Sequence, residues 1–135
     1  MQTSAHENYL VTQVLTAPPQ KLQLMLIEAA IRAARLARQK WQGGENEAGS
    51  EPLIRAQEIV STLIAGLNRE VAPELVQRVA SVYLFVYRSL IEANLRHDEK
   101  KLDDAIRVLE EERKTWQEVC ATIGAERDSG LSLEA

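Results

Sequence analysis

The side chains able to do chemistry in this 135-residue chain are few and widely spaced. His6 stands near the start and His97 in the polar turn Arg96 to Glu99, so neither forms the Glu-x-x-His pairs that a carboxylate-bridged metal needs on facing helices. Cys120 is the sole cysteine, which excludes an internal disulfide and a cysteine-based metal site. It is expected as a small buried residue on a helix. No helix pairs a serine or that thiol with a neighbouring base for nucleophilic catalysis. Glu110, Glu111 and Glu112 form an acidic run that reads as a solvated face rather than a paired-carboxylate site. Gly43-Gly44 lacks the lysine-bearing turn of a phosphate loop. Arg32, Arg35, Arg38 and Lys40 are a potential phosphate cluster, but a solvated face that suits a helix C-terminus is the preferred reading. We therefore expect no enzyme, no cofactor and no metal.

The elements that position these residues follow from apolar spacing and chain breakers. Pro73 to Leu95 carries Val79, Ala80, Val82, Tyr83, Leu84, Phe85, Val86, Tyr87, Leu90 and Ile91, apolar over more of its circumference than a surface helix requires. Arg78 and Arg88 bound that run, which is too short to span a membrane. Pro73-Glu74 is a good helix start, and the segment reads as the central helix of an all-α domain. A helix from Pro19 to Gln42 presents Leu22, Leu26, Ala29, Ala33 and Leu36 as its main stripe, with Met25 beside it, and Leu24, Ile27, Ile31 and Ala34 as a second. The glycine-containing loop Gln42 to Ser50 leads to a helix from Glu51 to Asn68 with the stripe Leu53, Ala56, Val60, Leu63 and Leu67, flanked by Ile59 and Ile64. Asp98 is a candidate N-cap for a last helix, Glu99 to Ile123, closed by Gly124 as its C′ residue.

Short joints favour antiparallel neighbours, so the expected fold is an up-down four-helix bundle over 19–124 with Pro73 to Leu95 most deeply packed. Residues 1–18 would form a short N-terminal cap segment and 125–135 a disordered tail. The composition, 45% hydrophobic and 27% charged, is globular, and a net charge of −4 argues against nucleic acid as the main partner. With neither a signal peptide nor an apolar span read in the sequence, the expected compartment is the cytoplasm, without membrane insertion.

A bundle core uses about one stripe per helix, and this chain has more. Tyr83 and Tyr87 lie one turn apart and point together. The burst Asn8 to Leu15 is too short to stand as a helix on its own. Surplus apolar surface of this kind suits recognition of an amphipathic helix in a groove. Homodimerisation and the binding of a different partner account for it equally well on periodicity alone.

Asn8-Tyr9-Leu10 with Thr12-Gln13-Val14-Leu15-Thr16-Ala17, Lys21-Leu22, Met25-Leu26, Ala30-Ile31-Arg32, Ala56-Gln57-Glu58-Ile59-Val60, Leu67-Asn68-Arg69-Glu70, Tyr83, Tyr87, Leu90, Glu92-Ala93-Asn94-Leu95, Asp98, Leu102 and Trp116 together resemble the FliS family of flagellar export chaperones. The chain has Ile27-Glu28-Ala29 where that family commonly has Tyr-Asp-Gly, and Val71-Ala72 in place of a glycine pair. The resemblance implies a cytosolic chaperone that holds the C-terminal segment of flagellin in apolar grooves and blocks its polymerisation before export. It implies a groove lined by Ile59, Leu63, Leu67 and Asn68, by Tyr83, Tyr87, Leu90 and Asn94, and by Leu102, with Tyr9 on a displaceable cap. The flagellar export apparatus is a further candidate partner, and a homodimer the candidate resting state. The alternative is a structural homodimerising bundle with no client.

Overall fold

The computed structural model describes residues 19–67, Glu70 and 73–134, with side chains described as far as 125. The expected N-terminal cap of residues 1–18, with Tyr9, lies outside the described residues, as does Asn68. The described chain is all helical: α1 (Pro19–Gln42), a 3₁₀ turn (Glu47–Gly49), α2 (Ser50–Ala65), α3 (Pro73–Arg96) and α4 (Glu99–Glu134). Each helix packs against two others, α1 on α2 and α4, and α3 on α2 and α4, which closes a four-helix ring. The ring alternates in direction. Arg35 pairs with Glu110 and Arg38 with Asp103, so α4 descends as α1 rises. Lys101 reaches back to Glu92 across the α3–α4 turn in the same sense. The fold is the antiparallel four-helix bundle expected from the sequence.

Proline sets two of the helix starts, Pro19 and Pro73, because its missing N–H costs nothing in a first turn. The Asp98 side chain caps α4 by accepting from the Lys101 N–H at 3.1 Å. His97, just before it, takes the turn at a φ of 50°. Two helix ends differ from the sequence expectation. α2 stops at Ala65 rather than Asn68: Gly66 occupies the C-cap with ψ at −2°, and the next N–H, of Leu67, bonds the Ile64 carbonyl three residues back instead of four. α4 does not stop at Ile123 but runs through Gly124 to Glu134. A single helical glycine costs about 1 kcal/mol against alanine, too little to end a helix already propagating into Ala125 and Glu126.

The interior is one cluster. α1 contributes Ile27, Ala30, Ile31, Ala34, Ala37 and Trp41, α2 Leu53, Ala56, Val60 and Leu63, α3 Tyr83, Val86, Leu90 and Ala93, and α4 Leu102, Ala105, Ile106 and Leu109. The alanines of α1 and α2 leave only methyl groups at the contact and allow close approach of the backbones. Two expectations are corrected here. α3 is not a central helix covered on several sides: in a ring every helix buries one face, and Leu84 and Phe85 on α3 remain 38% and 45% exposed. On α1 the interior draws on both strips, Ala33 of the expected main stripe being buried as well. Ile27, Ile31 and Ala34 of the second strip are core, while Leu36 of the supposed main stripe is 44% exposed.

One indole holds the loop end of the bundle. The Trp41 ring lies 4.0 Å from the His97 ring, centroid to centroid, and covers buried Gly49 on its other side. A Cβ on Gly49 would sit 2.5 Å from the Trp41 Nε1 and 2.7 Å from its Cδ1, with the Ala37 carbonyl 3.3 Å away. Since Trp41 is itself buried, the strain has no free side chain to absorb it. Gly49→Ala is expected to cost about 1–3 kcal/mol of stability, read as a lower urea midpoint at unchanged slope. An unchanged midpoint would show that the indole is free to move.

Candidate functional site

The surplus apolar surface is gathered at the seams between helices. An opening of about 810 Å³ lies between α1 and α2. Its apolar lining is Ala29, Ala33 and Leu36 from α1, Ala48 from the 3₁₀ turn, and Pro52 and Ile54 from α2. Leu36 and Ile54 are 44% and 46% exposed there, large side chains that the bundle's own interior does not use. Around the corner of α2, Ile54 and Tyr87 share a shallower opening with Gln57, Glu58 and Ser61. On the far face Leu84 and Phe85 line a third, bounded by Arg88, Glu92 and Lys101. Ile54 thus belongs to two openings, and apolar surface continues from the α1–α2 seam round to α3.

The residues expected from the sequence divide into two groups. Ile59, Leu67 and Tyr87 are half-buried and pack against the edge of the core, and Asn94 is half-buried as well. Leu63, Tyr83, Leu90 and Leu102 are corrected to interior residues, at 0–1% exposure. Each sits on the face its helix turns into the ring, so in this arrangement none has surface to offer a partner. Sequence reasoning missed Leu36 and Ile54 as exposed residues, with Ala29 half-buried beside them. The available signal was that α1 carries two apolar strips, one more than a bundle helix can bury.

Tyr83 is a fully buried side chain of the core that carries a polar tip. Its hydroxyl accepts from the Gln23 amide and lies by Glu112 and Trp116. Burial pushes its pKa up to about 12, helped by the nearby Glu112 charge and opposed by the hydrogen bonds from Gln23 and Trp116. Burial also raises the pKa of Glu112, against a hydrogen bond from the Trp116 indole that lowers it. So the acidic run is not a uniformly solvated face: Glu110 pairs with Arg35 at 2.6 Å, Glu111 is exposed, and Glu112 turns inward. Cys120 is half-buried rather than buried, because the core on α4 ends at Leu109. Arg35 and Arg38 of the basic cluster pair across to α4.

A ring of four antiparallel helices with an apolar-lined opening at the α1–α2 seam defines a helical-bundle protein. The Flagellar protein FliS family model matches residues 1–123. The chain belongs to the FliS family. It is 33% identical over 110 residues to the flagellar secretion chaperone FliS of Bacillus subtilis (strain 168), covering 82% of this chain and 81% of that one. The flagellar secretion chaperone FliS of Salmonella typhimurium is 30% identical over 107 residues, 78% of this chain and 79% of the relative. That of Vibrio cholerae is 26% identical over 108 residues, covering 80% and 79%.

The inward carboxyl has a pH signature. A raised folded-state pKa means the fold favours the neutral acid, so this contribution is complete below the ordinary value of 4.5 and is lost as pH rises through the folded value. Glu112→Gln keeps a neutral group in place at every pH. The variant is expected to melt above the parent chain at pH 7, the gap closing as pH falls toward the ordinary carboxylate range. A gap of constant size, or of opposite sign, would mean that Glu112 is effectively solvated.

Proposed function

We propose that this chain is a cytosolic export chaperone that holds the C-terminal segment of flagellin in its apolar seams and keeps it from polymerising before secretion. The observation that carries this reading is the open α1–α2 groove, in which Leu36 and Ile54 stand exposed above a floor of small residues. The names of the relatives supply the flagellar context. An extended client with short helices would place apolar anchors at helical spacing in this groove, then pass over Ile54 to Tyr87. Ile59, Leu67, Tyr87 and Asn94 are the expected contacts from the sequence that keep some exposure for this role, with Tyr9 and Asn68 completing the set. Leu63, Tyr83, Leu90 and Leu102 support the seams from beneath. The chemistry is binding and shielding, with no bond made or broken.

A second reading, a homodimer without a client, has its own observation: Leu84 and Phe85 lie exposed side by side on α3, away from the α1–α2 groove. The two readings separate cleanly. Titration of the cognate flagellin C-terminal segment into the chain should release heat, and Leu36→Asp or Ile54→Asp should weaken that binding by roughly tenfold or more at unchanged helicity. Leu67→Asp, at a half-buried position, should abolish binding with helical circular dichroism nearly intact. Absence of heat, together with a concentration-dependent dimer that Phe85→Asp dissociates, would establish the homodimer instead.

A further inference from the structure

We propose that the two walls of the α1–α2 groove carry opposite charge in order to fix the direction in which a client helix lies, reading acidic residues on one flank and basic residues on the other. This rests on the groove's being a client site, and adds to it a rule for which amphipathic helices fit and which way they point.

The charged lining is sorted by wall. Arg32 and Lys40 come from α1, while Glu47, Glu51 and Glu58 come from the 3₁₀ turn and α2, with Arg55 the one cation on that side. Arg55 stands four residues after Glu51 and three before Glu58, so on its own helix it is flanked by two carboxylates and that wall keeps a net negative charge. Opposite charges facing one another would ordinarily be drawn into pairs. The neighbouring seam shows this: α1 and α4 are clasped by Arg35–Glu110 at 2.6 Å and Arg38–Asp103 at 3.2 Å. Among the described residues no ion pair crosses the α1–α2 groove, and Lys40 is engaged only by Glu45 of the adjoining loop, in an exposed contact at 3.4 Å that is easily exchanged. The walls stand apart, with their charges turned to the space between them.

A helix laid on the floor with its apolar stripe down presents one flank to each wall. Turning it end over end keeps the stripe down but exchanges the flanks. The apolar lining of Ala29, Ala33, Leu36 and Ile54 carries no charge with which to tell the two directions apart, since the hydrophobic effect is non-directional. The walls can. A helix with acids toward α1 and bases toward α2 is matched in one direction and opposed by like charge on both sides in the other, which is how interface charge gives specificity.

The probes are three designed amphipathic helical peptides with the same apolar stripe, one with a glutamate flank and a lysine flank, one with glutamate on both and one with lysine on both. The cognate flagellin C-terminal segment is titrated beside them. The mixed peptide should bind roughly tenfold more tightly than either single-sign peptide at low salt, the advantage shrinking as salt rises. A nitroxide on its N-terminus should broaden amide signals at one end of the groove only, either near Ala48 or near Glu58. Exchanging the walls, by Arg32→Glu and Lys40→Glu with Glu51→Lys and Glu58→Lys, should move the broadening to the other end. These are exposed or rim positions, and circular dichroism checks that the bundle is retained. Equal affinities for the three peptides, or broadening at both ends, would overturn the inference. If Leu36→Asp abolishes flagellin-segment binding while wall reversal changes neither affinity nor direction, the groove stands as the client site and only the charge rule falls. If Leu36→Asp has no effect, the groove itself is not the site and both readings fall.

Discussion

A helix in a ring of four can turn only part of its circumference to the interior, and every apolar residue beyond that arc must find another use. This constraint shapes the whole molecule. α1 meets it most sharply, because its alanine-rich face packs closely inside the ring and leaves a second apolar strip outside. The close packing and the open groove are therefore two consequences of one helix. Ala30, Ala34 and Ala37 bring the neighbouring backbones near, while Ala29 and Leu36, roughly a quarter-turn away, are left toward the seam, with Ala33 buried at its base.

The seams of the ring are not equivalent. The one between α1 and α4 is bridged by two arginine–carboxylate pairs above the core and keeps only a smaller, mostly polar opening of about 270 Å³ near Trp41 and Glu99. Exposed pairs of this kind add little stability each, but they mark a contact whose two sides are satisfied by one another. The α1–α2 seam has comparable charges and no such closure. At the far end from the loops, α4 leaves the core after Leu109 and turns Glu112 and Trp116 toward Tyr83, so polar groups replace apolar ones in the last layers of the bundle. The phenol is tied by Gln23 from across the ring, which joins α1 to α3.

Much of this fold was legible in the chain's letters because the signals were local. Pro19 and Pro73 start helices, Asp98 caps one, and the glycine-containing loop separates the first two. The stripe Leu53, Ala56, Val60 and Leu63 of α2 is buried as its spacing implied. The site was harder to read. Periodicity tells which residues share a face, but not which of two apolar faces turns inward, and on α1 and α3 there were two to choose from. Hence Leu36 was taken for part of the main stripe, while Leu90 and Tyr83, placed in the groove by the family resemblance, lie in the interior, where the Tyr83 hydroxyl meets Gln23. Gly124 misled for a related reason: glycine permits a helix to end but does not compel it.

The two tryptophans divide the molecule between them. Trp41 rests on His97 and Gly49 where the α1–α2 loop and the α3–α4 turn come together, and Trp116 stands by Tyr83 and Glu112 toward the opposite end. Gln23, which shares the second cluster, and Trp41 are about 27 Å apart along α1. With tryptophan at no other position in the sequence, the chain carries a separate native fluorophore at each pole. Emission from a variant retaining only one of them would watch the loops tighten or the far cluster loosen, one pole at a time and without an attached dye.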